Sequence, residues 1–100
     1  MKDKVIDYII SRLQRIITTR KQISIIQLSN CPTDYLIVEH CNSYLNVKCF
    51  MNRYCAAMDL NIPLHKNRPT FKDMAERIIQ EVKHYTTWQE SDFLNYRGVK

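Results

Sequence analysis

The sequence predicts an all-α fold: a small helical bundle of three to four helices with a long first loop. Three observations point to it. Apolar residues recur at steps of three and four in three separate stretches, the period of one buried helix face. The chain has one Gly and three Pro among 100 residues, which leaves no flexible linker and no Gly-rich phosphate loop. Ile, Leu, Lys, Arg and Gln are abundant, a composition that suits helices.

Taken in order, the first helix runs from residue 3 to about residue 18. Val5, Ile6, Ile9, Ile10, Leu13, Ile16 and Ile17 form its apolar stripe, and Asp3 is placed to cap it. It should stop in Thr18-Thr19-Arg20, where β-branched and polar residues cluster. Residues 19–42 are the least regular part. Ile23, Ile25, Ile26 and Leu28 suit an extended segment or a short turn, and a small strand pair is the alternative to a packed loop. Ser29-Asn30-Cys31-Pro32-Thr33-Asp34 is a turn signal, because Pro fixes φ and Asn and Asp bond their own backbone. Tyr35 to Val38 then supply apolar contact to the core.

A central helix is expected to begin at Ser43 and end between Ala56 and Asp59. Its stripe is Tyr44, Val47, Phe50, Met51, Tyr54, Cys55 and Met58. After Leu60-Asn61-Ile62-Pro63-Leu64 and a short basic loop, Pro69-Thr70 opens the last helix. Thr70 can cap it, with Asp73 three residues on in the manner of a capping box. Phe71, Met74, Ala75, Ile78, Ile79 and Val82 make its buried stripe, and it should fray near His84. The chain thus divides into a helical domain over residues 1–84 and a tail over 85–100. The tail holds Trp88, Phe93, Leu94 and Tyr96, which should pack on the domain itself, on a second copy or on a partner.

No apolar run reaches the ~20 residues of a membrane span, and the N-terminus lacks a signal-peptide pattern. A cytoplasmic protein is expected. Cys31, Cys41, Cys49 and Cys55 match no common zinc spacing, so free thiols in a reducing compartment are expected. The net charge of +5 invites a nucleic-acid reading. However, the Lys and Arg residues are scattered, and Arg15, Arg20 and Lys21 suit a solvated helix end.

Ser43 is the candidate functional residue. It lies where the central helix should begin, near free backbone N–H groups. One reading is an N-cap; the other is an exposed hydroxyl that is modified. Two stretches bear on the choice. Asn42-Ser43-Tyr44-Leu45, with Val47 and Lys48 following, is similar to the serine motif of the acyl and peptidyl carrier-protein family. Leu60-Asn61-Ile62-Pro63-Leu64 followed by Pro69-Thr70-Phe71-Lys72-Asp73-Met74-Ala75-Glu76-Arg77-Ile78 resembles the family's later part, nearer to peptidyl than to fatty-acid carriers. The layout match covers about residues 3–83, with some twenty residues in motif. The sequence departs from the family in the lead-in His40-Cys41-Asn42, in Tyr44 after the serine, and in the basic Lys48 and Arg53.

The resemblance implies a non-catalytic carrier. A pantetheinyl transferase would join 4′-phosphopantetheine covalently to Ser43, and the arm would hold an acyl or aminoacyl group as a thioester. A helix N-terminus would favour the phosphate. Asn42, Tyr44, Val47, Lys48 and Arg53 would meet the acyl- or aminoacyl-transferring enzymes, and the basic pair would favour an acidic partner surface. Two other expectations stand beside this one. The first is an unmodified helical interaction module, such as an immunity, adaptor or inhibitor protein. The second is a small basic nucleic-acid-binding protein.

Overall fold

The computed structural model describes residues 2–19, 22–29, 34–50, 58–86 and 88–89. Among these, the chain runs α1 (Lys2–Thr19), β1 (Ile23–Gln27), β2 (Tyr35–His40), β3 (Tyr44–Phe50), β4 (Asp59–Pro63) and α2 (Phe71–Tyr85). The four strands form one antiparallel sheet in the order β1-β2-β3-β4, each strand beside its neighbour in sequence. The fold is therefore α/β, and the all-α bundle expected from the sequence is corrected.

The two terminal helices form where their stripes predict. Val5, Ile6, Ile9, Leu13 and Ile16 of α1 are buried, with Ile10 and Ile17 packed at the margin. Met74, Ala75, Ile78, Ile79 and Val82 of α2 are buried beside them. Both helices lie on one face of the sheet and pack together, α1 also against β1 and α2 also against β4. That face supplies Ile26, Leu36, Val38, Leu45, Val47, Cys49, Leu60 and Ile62 to the core.

The central correction falls on residues 43–50. They form the turn and strand β3, paired on both sides, and not the first turns of a helix. The reason is alternation. Leu45, Val47 and Cys49 point into the core, while Tyr44, Asn46, Lys48 and Phe50 point away from it. The helical stripe leaves out Leu45, which is fully buried, and includes Tyr44 and Phe50, which are exposed. Met51, Arg53, Tyr54 and Cys55 lie outside the described residues. The extended option for Ile23–Leu28 is the one the structure adopts, as strand β1.

The connection from β1 to β2 is closed by buried polar groups. The Ser29 hydroxyl donates to Asp34 Oδ2 at 2.9 Å, and the Leu28 N–H donates to the Asp34 carbonyl at 3.0 Å. At the start of α2 the capping box is present as the sequence suggests. The Asp73 N–H donates to Thr70 Oγ1 at 3.0 Å, and the Thr70 N–H reaches Asp73 Oδ2 at 3.4 Å. Thr70→Ala is expected to lower stability by ~1 kcal/mol, read as a shift in the urea midpoint at unchanged slope.

Candidate functional site: the open face of the sheet

With both helices on one side, the other face of the sheet is bare among the described residues. Strand register lays its side chains out in rows. Ile25, Ile37, Lys48 and Asp59 lie side by side across β1 to β4. On one side of that row stand Gln27, Tyr35 and Phe50, and on the other Ile23, Glu39, Asn46 and Asn61. The face thus divides: apolar at Ile23, Ile25, Ile37, Tyr35 and Phe50, and polar at Asn46, Lys48, Asp59 and Asn61, with Tyr44 beyond them opposite Pro63.

The apolar half is well exposed. Ile23 keeps 60% of its surface in solvent, Ile25 57% and Phe50 46%. Phe50 stacks on Tyr35 with ring centroids 5.5 Å apart and planes 19° from parallel. Isolated exposed apolar residues are ordinary, and here three of them share one face with half-buried Tyr35 and Ile37 between them. On the polar half, Asn46 Nδ2 donates to Asn61 Oδ1 at 2.9 Å and also to Asp59 Oδ1. These groups bind one another and leave the apolar half as the part that gains by being covered.

Beside Asn46, Tyr44 sits at the end of β3. The Cys41 side chain hydrogen-bonds its phenol, and this contact is the first cause that holds the phenol above its ordinary value. The charge of Cys41 and the carboxylates of Glu39 and Asp59 add to it. Beneath β3, burial pushes the Cys49 thiol up to about 12, with help from Asp34. That thiol stays protonated as a core group.

The structure separates the residues expected to act together. Asn42 and Ser43 lie in the exposed turn between β2 and β3. The Ser43 carbonyl accepts from the Leu64 N–H at 2.9 Å, and the Asn42 carbonyl lies 3.2 Å from His65 Nε2. Tyr44 and Lys48 point out on the open face, whereas Val47 is buried under the helices. Arg53 lies outside the described residues. No helix begins at Ser43, so the helix dipole and free N–H groups that would favour a phosphate there are missing. The structure gives no support to the carrier-protein, thiolation and phosphopantetheine-attachment reading, which presumed that helix. Ile23, Ile25, Tyr35, Ile37 and Phe50 were not singled out as a site from sequence. The alternation Ile23-Ser24-Ile25 is the signal that could have placed the two isoleucines on one face, whereas Tyr35-Leu36-Ile37-Val38 is apolar throughout and carries no period.

Among the described residues, no helix is long and apolar enough to cross a membrane. Nor do three His, Cys, Asp or Glu side chains come together in a group that could hold a metal ion. No family model, curated protein or solved structure matches this chain.

Proposed function

We propose that this chain is a non-catalytic interaction protein that binds a protein partner through the open face of its sheet. The observation that carries this reading is the apolar group of exposed Ile23, Ile25 and Phe50 with half-buried Tyr35 and Ile37 between them, set on a sheet whose opposite face holds the core. Aromatic and branched side chains on regular strands lose little freedom on docking, so their burial is converted efficiently into affinity. The net charge of +5 favours a partner with an acidic surface. Cys41 and Cys49 are free thiols, which suits a reducing, cytoplasmic setting.

A nucleic-acid reading has less support. Open sheets that read single strands stack bases on separate aromatic rings, whereas Tyr35 and Phe50 stack on each other. On this face Glu39 and Asp59 also outnumber Lys48.

The test is site-specific photo-crosslinking of the full chain. A benzophenone side chain is placed at Phe50 or, as control, at exposed Lys72 of α2. A partner is expected to be captured from position 50 only, and Ile25→Lys with Ile37→Lys should weaken it by at least about tenfold, or ~1.4 kcal/mol. Equal capture from position 72, or affinity within about twofold in the double variant, overturns the open face as the docking surface.

A further inference from the structure

We propose that the outer edge of β1, with Arg12 and Arg15 of α1 beside it, is a strand-addition groove that takes an extended acidic segment of a protein partner. This rests on the interaction reading above and adds the partner's backbone form and chemistry.

Hydrogen-bond parity fixes which groups face the edge. The His40 N–H donates to the Gln22 carbonyl at 2.8 Å, and the Leu28 N–H donates to the Asp34 carbonyl at 3.0 Å. In an antiparallel ladder the residues bonded to the neighbour alternate, so 22, 24, 26 and 28 bond to β2. Ile23 and Ile25 therefore turn their N–H and C=O groups away from the sheet. Among the described residues no strand lies on that side.

The two edges of the sheet are built differently. β4 carries Asp59 and ends in Pro63, and both residue types discourage pairing. β1 reads Ile23-Ser24-Ile25-Ile26-Gln27, with no charge and no proline. Such an edge is a template for another strand.

Beside it lies a groove of about 440 Å³, lined by Arg12, Arg15, Ile16, Ile23, Ser24 and Ile25. The Arg12 guanidinium sits 5.5 Å from the centre of the Tyr8 ring, and its Nε is buried without a hydrogen-bond partner. Among the described residues neither Arg12 nor Arg15 makes an ion pair. Guanidinium groups that line an open groove can grip a carboxylate there through paired N–H donors.

The added strand has a predictable pattern. Its side chains alternate between the open face, beside Ile23 and Ile25, and the helix side, beside Arg12 and Arg15. The segment that fits is thus extended, with branched apolar residues alternating with Asp or Glu. Its main-chain groups pair with those of Ile23 and Ile25, as in other strand-addition complexes. The groove and the open face share Ile23 and Ile25, so one partner can use both.

The test uses the full chain and a fluorescein-labelled octapeptide of alternating Val and Glu, followed by anisotropy and amide hydrogen exchange. Binding is expected to weaken with salt. A Lys-for-Glu peptide, and one N-methylated at alternate positions, should each bind at least about tenfold more weakly. Arg12→Gln with Arg15→Gln should lose a similar factor for the acidic peptide. The Ile23 and Ile25 amides should gain protection on binding.

Equal binding of the acidic and basic peptides overturns the proposal, and so does indifference to N-methylation. Ile23 and Ile25 amides already protected before peptide is added would also overturn it, since the edge would then be covered by this chain's own C-terminal residues or by a second copy. Failure of the peptide experiment while Ile25→Lys with Ile37→Lys still releases the partner removes the groove alone. Loss of the open-face effect removes the underlying reading, whatever the peptide does.

Discussion

Replacing Trp88 by Ala is expected to lower stability by ~3–5 kcal/mol, a large part of the ~5–15 kcal/mol available to a domain of this size. Trp88 follows α2 and is 1% exposed. Its Nε1–H donates to the Leu28 carbonyl at 3.0 Å, and its own N–H is held by Thr86 Oγ1 at 3.1 Å. The indole therefore fills the core and ties the C-terminal end of α2 to the residue that follows β1. Trp88→Phe separates the two contributions. It keeps most of the apolar volume but leaves the Leu28 carbonyl without its donor, so about 1–3 kcal/mol should be lost. Urea unfolding of both variants checks the ordering, and a loss under ~1 kcal/mol for Trp88→Ala would contradict the burial. Exchange of the Ile26 amide should quicken in both, because Leu28 anchors the strand that carries the proposed docking edge.

The terminal helices were legible because each states its period several times over. Ile9, Leu13 and Ile16 repeat one face, as do Met74, Ile78 and Val82, and the Thr70–Asp73 box marks a start that only a helix needs. The middle is harder to read because short strands give weak signals. In Tyr44–Phe50 the inward residues Leu45, Val47 and Cys49 alternate cleanly, but Tyr44 and Phe50 are apolar on the outward side. That pair supplied the extra members of a false helical stripe. Phe50 belongs to the candidate site, so one of the residues that hides the strand also carries the proposed function. His40-Cys41-Asn42-Ser43 is ambiguous for a related reason. Small polar residues open helices and close hairpins equally well, and here the Cys41 N–H donates to the Tyr44 carbonyl at 2.9 Å to close a hairpin. The capping box and the Leu60–Leu64 step survive as local chemistry. Leu60 and Ile62 are inward residues of β4 rather than part of a link between helices.

Val47→Glu and Lys48→Glu are expected to differ sharply, although the two residues are adjacent. Val47 is fully buried between the sheet and the helices, whereas Lys48 is exposed and lies across from Asp59. A carboxylate at position 47 has no described cation near it in the core, so it must stay unpaired or take up a proton. The loss should exceed ~4 kcal/mol at neutral pH. Burial raises the folded-state pKa of such a Glu above its unfolded value of ~4.3, so the folded form binds more protons. The variant should therefore be least impaired at low pH and lose stability as the pH rises through the range between those two values. Lys48→Glu places two acids opposite each other on the surface and should cost under ~1 kcal/mol, with little pH dependence near neutrality. A helix starting at Ser43 would carry Val47 on its buried stripe as well, so Leu45→Glu is the variant that separates the two: Leu45 is fully buried in β3 but lies off that stripe. Equilibrium unfolding of all three variants between acid and neutral pH makes the distinction, with Leu45→Glu expected to lose as much as Val47→Glu. A small loss at position 45, equal to that at 48, would refute β3 and the open face built on it.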